Sequence, residues 1–192
     1  MAGVFFLFNP LQRGGWDAGF RAYEVYNYTL EQTPFYQTTK PYTELGYLLG
    51  GKGEQLIELL HTQNKTKQFN YSFAYRFSNA PGNLKNQHAN LNNMRLTANY
   101  QSKRKRYESF FTVISNKAAS SENGGLIKSD LLDSLSLGNP YELDTRLGVS
   151  GMTFKNPFNT SISTGTTYKD NIFLLKQTYD VGQKDSIVKD TV

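Results

Sequence analysis

Few residues in this chain could do covalent or metal chemistry. Histidine occurs twice in 192 residues, at His61 and His88, and cysteine not at all. Disulfides and thiolate metal sites are therefore excluded, and two separate imidazoles with no third ligand near them in sequence do not make a metal centre. Glu58 precedes His61 by three positions, which on a strand sends carboxylate and imidazole to opposite faces and rules out an acid–base pair. No Gly-x-Ser-x-Gly motif occurs, and no Ser-His-Asp set assembles without arbitrary choice. Gly50-Gly51-Lys52-Gly53 lacks the spacing of a phosphate loop and is followed by no helix, so it reads as a turn. Asn123-Gly124-Gly125 reads as a loop tip. Ser102-Lys103-Arg104-Lys105-Arg106 reads as a solvated basic turn rather than a nucleic-acid patch, and beside a membrane its cations would meet anionic headgroups. The expectation is a protein that is not an enzyme, takes no cofactor or metal, and binds no nucleic acid.

What remains is a polar row. Asn70, Ser72 and Arg76 alternate with Phe69, Tyr71, Phe73, Tyr75 and Phe77 in the stretch QFNYSFAYRF. Further along, Asn93, Arg95, Thr97 and Asn99 repeat the spacing, and Arg146 and Ser150 belong to the same reading. As the lining of a lumen, this row would favour anions through its arginines, because rings of charge set the selectivity of a pore. In a narrow or plugged barrel the same side chains would only pair with one another.

The elements that must carry these rows are strands. Period-two alternation rich in Tyr, Phe, Thr, Val and Ile predicts strands over Ala22–Leu30, Tyr42–Leu49, Glu54–Asn64, Gln68–Phe77, Asn93–Tyr100, Arg106–Ser115, Leu143–Met152, Phe158–Tyr168 and Asn171–Val181. Most are long enough for a tilted strand to cross a bilayer. Connections at one end are short (Lys65–Lys67, Gln101–Lys105, Thr153–Pro157), while Ser78–Asn92 and Asn116–Glu142 at the other are long and polar. Gly50–Gly53 and Lys169–Asp170 are short turns that fall at the long-loop end. Residues 1–21 form a lead-in, 22–181 the strands, and 182–192 a tail.

Alternation alone fits a soluble sheet with its apolar face inward or a membrane barrel with its apolar face outward. Serial long strands with hardly any helix, unequal loops and an apolar face made of Phe and Tyr favour the membrane barrel. Phe69, Tyr71, Phe73, Tyr75 and Phe77 are then expected to face lipid. Phe73→Arg is expected to be costly and Ser72→Arg tolerated. No stretch approaches the roughly 20 apolar residues of a membrane helix, and MAGVFFLFNP lacks the basic region and cleavage site of a secretory signal. The net charge of +5 is scattered along the chain.

The ordered series PYTELGYLLGGKGEQ, HTQN, YSFAYRFSNAPGNL, NYQSKRKRYESFFTVISNK and SSENGG, within about Phe8 to Val181, resembles the Putative porin family of Bacteroidota outer-membrane β-barrels. That resemblance implies an all-β, antiparallel up-and-down meander forming part or all of a transmembrane barrel. It implies outer-membrane localisation, passive passage of small polar solutes or a structural envelope role, and no catalytic residues. Its implied partners are outer-membrane lipids and the barrel-assembly machinery. The alternative function is a scaffold whose long loops bind an envelope lipoprotein or secretion partner, and a soluble barrel with an internal apolar site is a third reading. The ending KDSIVKDTV lacks the aromatic closing residue usual in such barrels, so the chain is expected to be a portion of a longer barrel.

Overall fold

The computed structural model describes residues 23–82, 86–128, 143–147, 162 and 164–182. Six strands run through them: β1 (Tyr42–Leu49), β2 (Gln55–Thr66), β3 (Phe69–Pro81), β4 (His88–Gln101), β5 (Tyr107–Ser121) and β6 (Gly165–Tyr179). They form one antiparallel sheet in chain order, the up-and-down meander that the alternation predicts. β1 and β6 are its two edges, so the sheet is open, as part of a barrel wall is. Among the described residues the helical content is two single 3-10 turns, Glu24–Tyr26 and Gly51–Gly53.

Strands β2 to β6 hold 12 to 15 residues each. At about 3.3 Å per residue and a tilt near 45°, such strands span roughly 28–35 Å, enough for the ~30 Å hydrocarbon layer of a bilayer. Register is continuous across β3–β4 from Phe69↔Tyr100 to Pro81↔His88 and across β5–β6 from Tyr107↔Tyr179 to Ser121↔Gly165. A single register shift lies between Asn64 and Thr66, beside the two-residue turn Lys67–Gln68. The β4–β5 turn closes with the Lys105 N–H donating to the Ser102 carbonyl at 2.8 Å, while Ser102 Oγ accepts from the N–H groups of Arg106 and Tyr107. Lys105 takes φ +53° to complete it.

Burial in this sheet is inverted relative to a soluble one. Among the described residues, four apolar residues are buried against ten polar or charged ones. Eight of those ten, Thr62, Asn70, Ser72, Asn93, Arg95, Thr97, Thr112 and Asn116, lie on one face of the sheet. The other face carries Phe69, Tyr71, Phe73, Tyr75 and Phe77, which are half-exposed, with Leu96, Phe111, Phe173 and Leu175 exposed beside them. A soluble sheet turns its large apolar side chains inward because water expels them. Here they point away from the covered side, the arrangement of a wall whose outer solvent is lipid.

Four expectations from the sequence are corrected. The alternating stretch Ala22–Leu30 is not a strand over its described part; its polar backbone groups pair with side chains of the sheet instead of a neighbouring strand. The strands expected on either side of Lys169–Asp170 are one strand, β6. β5 continues to Ser121 and supplies ladder partners through the polar pair, as Lys117↔Lys169 and Asn116↔Asp170. The long loop expected over Ser78–Asn92 shrinks to 82–87, since β3 and β4 pair as far as Pro81↔His88. Finally, the strand expected over Leu143–Met152 is absent over residues 143–147, where one isolated bridge joins Leu126 to Thr145. Gly124 (φ +64°) and Gly125 (φ +82°) bend the facing chain, and the Arg146 N–H donates to the Gly125 carbonyl at 3.0 Å. Residues 148–152, the short connection Thr153–Pro157, and 158–161 and 163 of the Phe158–Tyr168 strand lie outside the described residues, as do the lead-in 1–21 and residues 183–192 of the tail.

Candidate functional site: the polar face and the segment that covers it

The inner rows meet across strands in register: Asn70 opposite Asn99, Ser72 opposite Thr97, Arg76 opposite Asn93. Small polar side chains directly opposite one another are close enough to hydrogen-bond. Ser72 Oγ and Thr97 Oγ1 lie 2.5 Å apart, and Asn70 Nδ2 donates to Thr62 Oγ1 at 3.2 Å and to Asn64 Oδ1. Arg76 is paired with Glu58, its register partner on β2, through Nε to Oε1 at 2.7 Å. Thr112 and Asn116 on β5 extend the same face beside Thr97 and Asn93.

What buries this face is the chain itself. Residues 23–38 cross it and are fastened by side chains of β2, β4 and β5. The Tyr28 N–H donates to Asn116 Oδ1 and Asn116 Nδ2 donates back to the Tyr28 carbonyl, both at 3.0 Å. Asn93 Nδ2 donates to the Tyr26 carbonyl at 2.5 Å, and the Thr38 N–H donates to Asn64 Oδ1 at 3.1 Å. Asn suits this work because its amide carries a donor NH2 and an acceptor carbonyl side by side, matching the N–H and C=O of the backbone. Phe35 meets Phe110 edge-on with centroids 5.0 Å apart, and Tyr23 stacks on Tyr168 at 6.4 Å. Within the segment, Thr33 Oγ1 donates to the Thr29 carbonyl at 2.6 Å, holding a local turn.

Tyr28 is the electrostatic centre. The guanidinium carbons of Arg95 and Arg76 lie 4.6 and 5.2 Å from its ring centroid. Burial pushes the Tyr28 hydroxyl above the ordinary tyrosine range, against the pull of Arg76 and Arg95. The phenol is therefore neutral at pH 7 and meets both arginines through its ring quadrupole, contacts worth about 0.5–2 kcal/mol each. Glu58 neutralises Arg76, whereas Arg95 keeps its charge and meets the neutral Tyr28 ring and the Gln32 carbonyl.

Of the residues expected to line a lumen, Asn70, Ser72, Arg76, Asn93, Arg95, Thr97 and Asn99 share this one face. Arg146 does not join them. It is exposed on the long loop at the end of the sheet, where the glycine bends displace the expected strand. Ser150 lies outside the described residues. The sequence reading missed Asn116, Thr112 and Asn64. Phe110 and Phe111 on opposite sides of β5 obscured its alternation, yet Thr112, Asn116 and Ala118 repeat the small-and-polar spacing already visible in β4. Segment 23–38 was missed because Tyr- and Asn-rich alternation suits a strand and a strap equally well.

Three acceptors on this face, Asn93 Oδ1, Asn99 Oδ1 and Thr112 Oγ1, are buried without a protein hydrogen bond among the described residues. Buried polar atoms in folded proteins are nearly always satisfied, by water where protein is not at hand. The face thus has the polar chemistry of a hydrated interior. Among the described residues there is no cluster of three metal-ligating side chains. Neither curated proteins nor solved structures give a match to the chain. The family described as Putative porin matches over residues 6–192, nearly the whole sequence. The inverted sheet and this match agree, and the chain belongs to the Putative porin family of porin-like outer-membrane proteins.

Proposed function

We propose that the protein forms part of the wall of an outer-membrane barrel that gives restricted, passive passage to small polar solutes, with segment 23–38 narrowing the route. The observation that carries this reading is the pairing of a buried polar face with an exposed aromatic one. The unsatisfied acceptors on the polar face support a hydrated path beside the segment. Free cationic rings would select anions, but neutralisation of Arg76 by Glu58 argues for weak charge selectivity. Planar bilayers containing the full-length protein should show small conductance steps that grow when Asn93→Ala and Asn116→Ala together loosen the segment. Silent bilayers for both proteins, with heat-modifiable migration confirming folded barrels, would remove the pore reading and leave the barrel.

A second reading is favoured by the long-loop end. Asn86 Nδ2 donates to Thr145 Oγ1 at 3.0 Å and to the Leu147 carbonyl at 3.2 Å, which fixes the loop over the strand ends. Ile127 and Leu147 are exposed there, apolar anchors of the kind a surface lipoprotein or secretion partner would cover. Ile127→Asp with Leu147→Asp should abolish co-purification of such a partner while the barrel still folds. Retention of the partner by that variant excludes this surface.

A further inference from the structure

At the opposite end, the β4–β5 turn and the neighbouring end of β6 enclose an open cleft of about 420 Å³. Tyr100, Tyr107 and Tyr179 line it on the outward, aromatic face, and Lys103, Arg104 and Arg106 line it from the turn. The arrangement follows from register. Tyr107 stands opposite Tyr179, and the Tyr100 and Tyr107 rings are 6.1 Å apart on adjacent strands. The turn closed at Ser102 and Lys105 projects the cations just past these rings.

Among the described residues Lys103, Arg104 and Arg106 make no ion pair. Glu108 and Asp180, the carboxylates that directly follow the lining residues Tyr107 and Tyr179, do not line the cleft. Glu108 belongs to the opposite face, where it accepts from Gln101 Nε2 at 2.6 Å, and the Asp180 backbone N–H donates to the Arg106 carbonyl at 2.8 Å. Like charges gathered without counter-charge repel one another, a cost that an anion bound between them removes. Arg presents a planar fork to phosphate oxygens and Lys a point charge. Tyrosines beneath them offer rings to acyl chains and hydroxyls to the boundary layer.

We propose that this cleft binds the phosphate of an anionic phospholipid headgroup at the membrane boundary on the short-turn side. The site rests on the membrane reading above, since only a sheet facing lipid puts Tyr100, Tyr107 and Tyr179 at that boundary. Arg104, Arg106 and Lys103 take the phosphate, and the tyrosine shelf takes the glycerol backbone and the first methylenes. The chemistry recognised is a phosphate-bearing group, and the shelf selects the lipid-borne form over the free ion.

The folded full-length protein in neutral detergent is titrated with short-chain phosphatidylglycerol or phosphatidylcholine, and bound lipid is counted by native mass spectrometry. Saturable retention of phosphatidylglycerol over phosphatidylcholine is expected. The double variant Lys103→Ser with Arg104→Ser, on exposed turn positions, should weaken retention by about tenfold or more, since each cation at an anionic surface contributes roughly fivefold. Arg104→Lys should keep most of it. Equal retention of the two lipids, or undiminished retention in the double variant, overturns the site. Displacement of the lipid by millimolar inorganic phosphate at matched ionic strength would show that the free ion suffices, which overturns the lipid assignment. Heat-modifiable migration of the same samples keeps the two readings apart. A folded barrel without lipid preference loses only this site, whereas a chain forming no heat-modifiable species loses the membrane reading and the site with it.

Discussion

Asn116 holds the main chain of Tyr28, 88 residues away in sequence, by both ends of its side-chain amide, with each hydrogen bond 3.0 Å long. Asn116 is itself fully buried, so no water can replace it at low cost. Asn116→Leu keeps the branching at Cγ and leaves a buried N–H and a buried carbonyl without partners, a loss of about 1–3 kcal/mol. The segment rather than the sheet should respond. Chymotryptic cleavage at Tyr26, Tyr28 or Phe35 is expected to accelerate while the heat-modifiable band persists, and unchanged cleavage would detach Asn116 from any role in holding the segment.

Phe73 and Ser72 test the two faces. Phe73 points outward between His61 and Leu96, and its replacement by Arg should cost about 2–4 kcal/mol in a bilayer-folded barrel near the midplane. Phe73→Leu should cost less than about 1.5 kcal/mol. Urea titration of folding into vesicles measures both, and equal costs for Arg and Leu contradict a lipid-facing Phe73. Ser72→Arg, tolerable on an open lumen, is not tolerable here. Ser72 is 2% exposed against Thr97, and forcing a long side chain into that space should cost about 1–3 kcal/mol by overpacking alone.

The sheet was legible because period two is a local property of the chain. Asn70 to Arg76 and Asn93 to Asn99 each declare a polar face without reference to anything distant, and the aromatic rows between them declare the other. Strand ends were less legible. β5 and β6 run through Asn116, Lys117, Lys169 and Asp170 because each supplies the other's ladder partners, and such pairing is invisible in either segment alone. At Gly165, the start of β6, a Cβ would meet the Ser120 carbonyl oxygen at 2.1 Å. That glycine falls inside the strand expected over Phe158–Tyr168, and the close approach it permits is where β6 begins. The covering of the polar face was least legible, because it depends on Asn93 and Asn116 meeting backbone 67 and 88 positions away.

The Glu58–Arg76 pair governs charge more than stability. Its side chains are 48% and 36% exposed, so the pair contributes about 0–1 kcal/mol. Glu58→Gln should leave the unfolding midpoint nearly unchanged while freeing one positive charge on the polar face. Reversal potentials in a salt gradient are then expected to move toward anion preference, and Arg76→Gln should move them the other way. Identical reversal potentials in all three proteins would mean that ions do not pass this pair.

Tyr28 gives the face an alkaline limit. Its hydroxyl is raised above the ordinary value near 10, chiefly by burial. A group whose protonated form is favoured in the folded state contributes stability that is complete below its unfolded pKa and is lost as pH rises through the higher folded value. Docking of segment 23–38 should therefore be independent of pH up to about 10 and loosen above it, as the buried phenol loses its proton. Tyr28→Phe keeps the ring over which Arg76 and Arg95 lie and removes the proton, so its segment should stay docked through the same range. Protease accessibility of residues 23–38 measured from pH 7 to pH 11.5, in wild type and Tyr28→Phe, separates the cases. Parallel curves for the two proteins would assign the alkaline loosening to some group other than Tyr28.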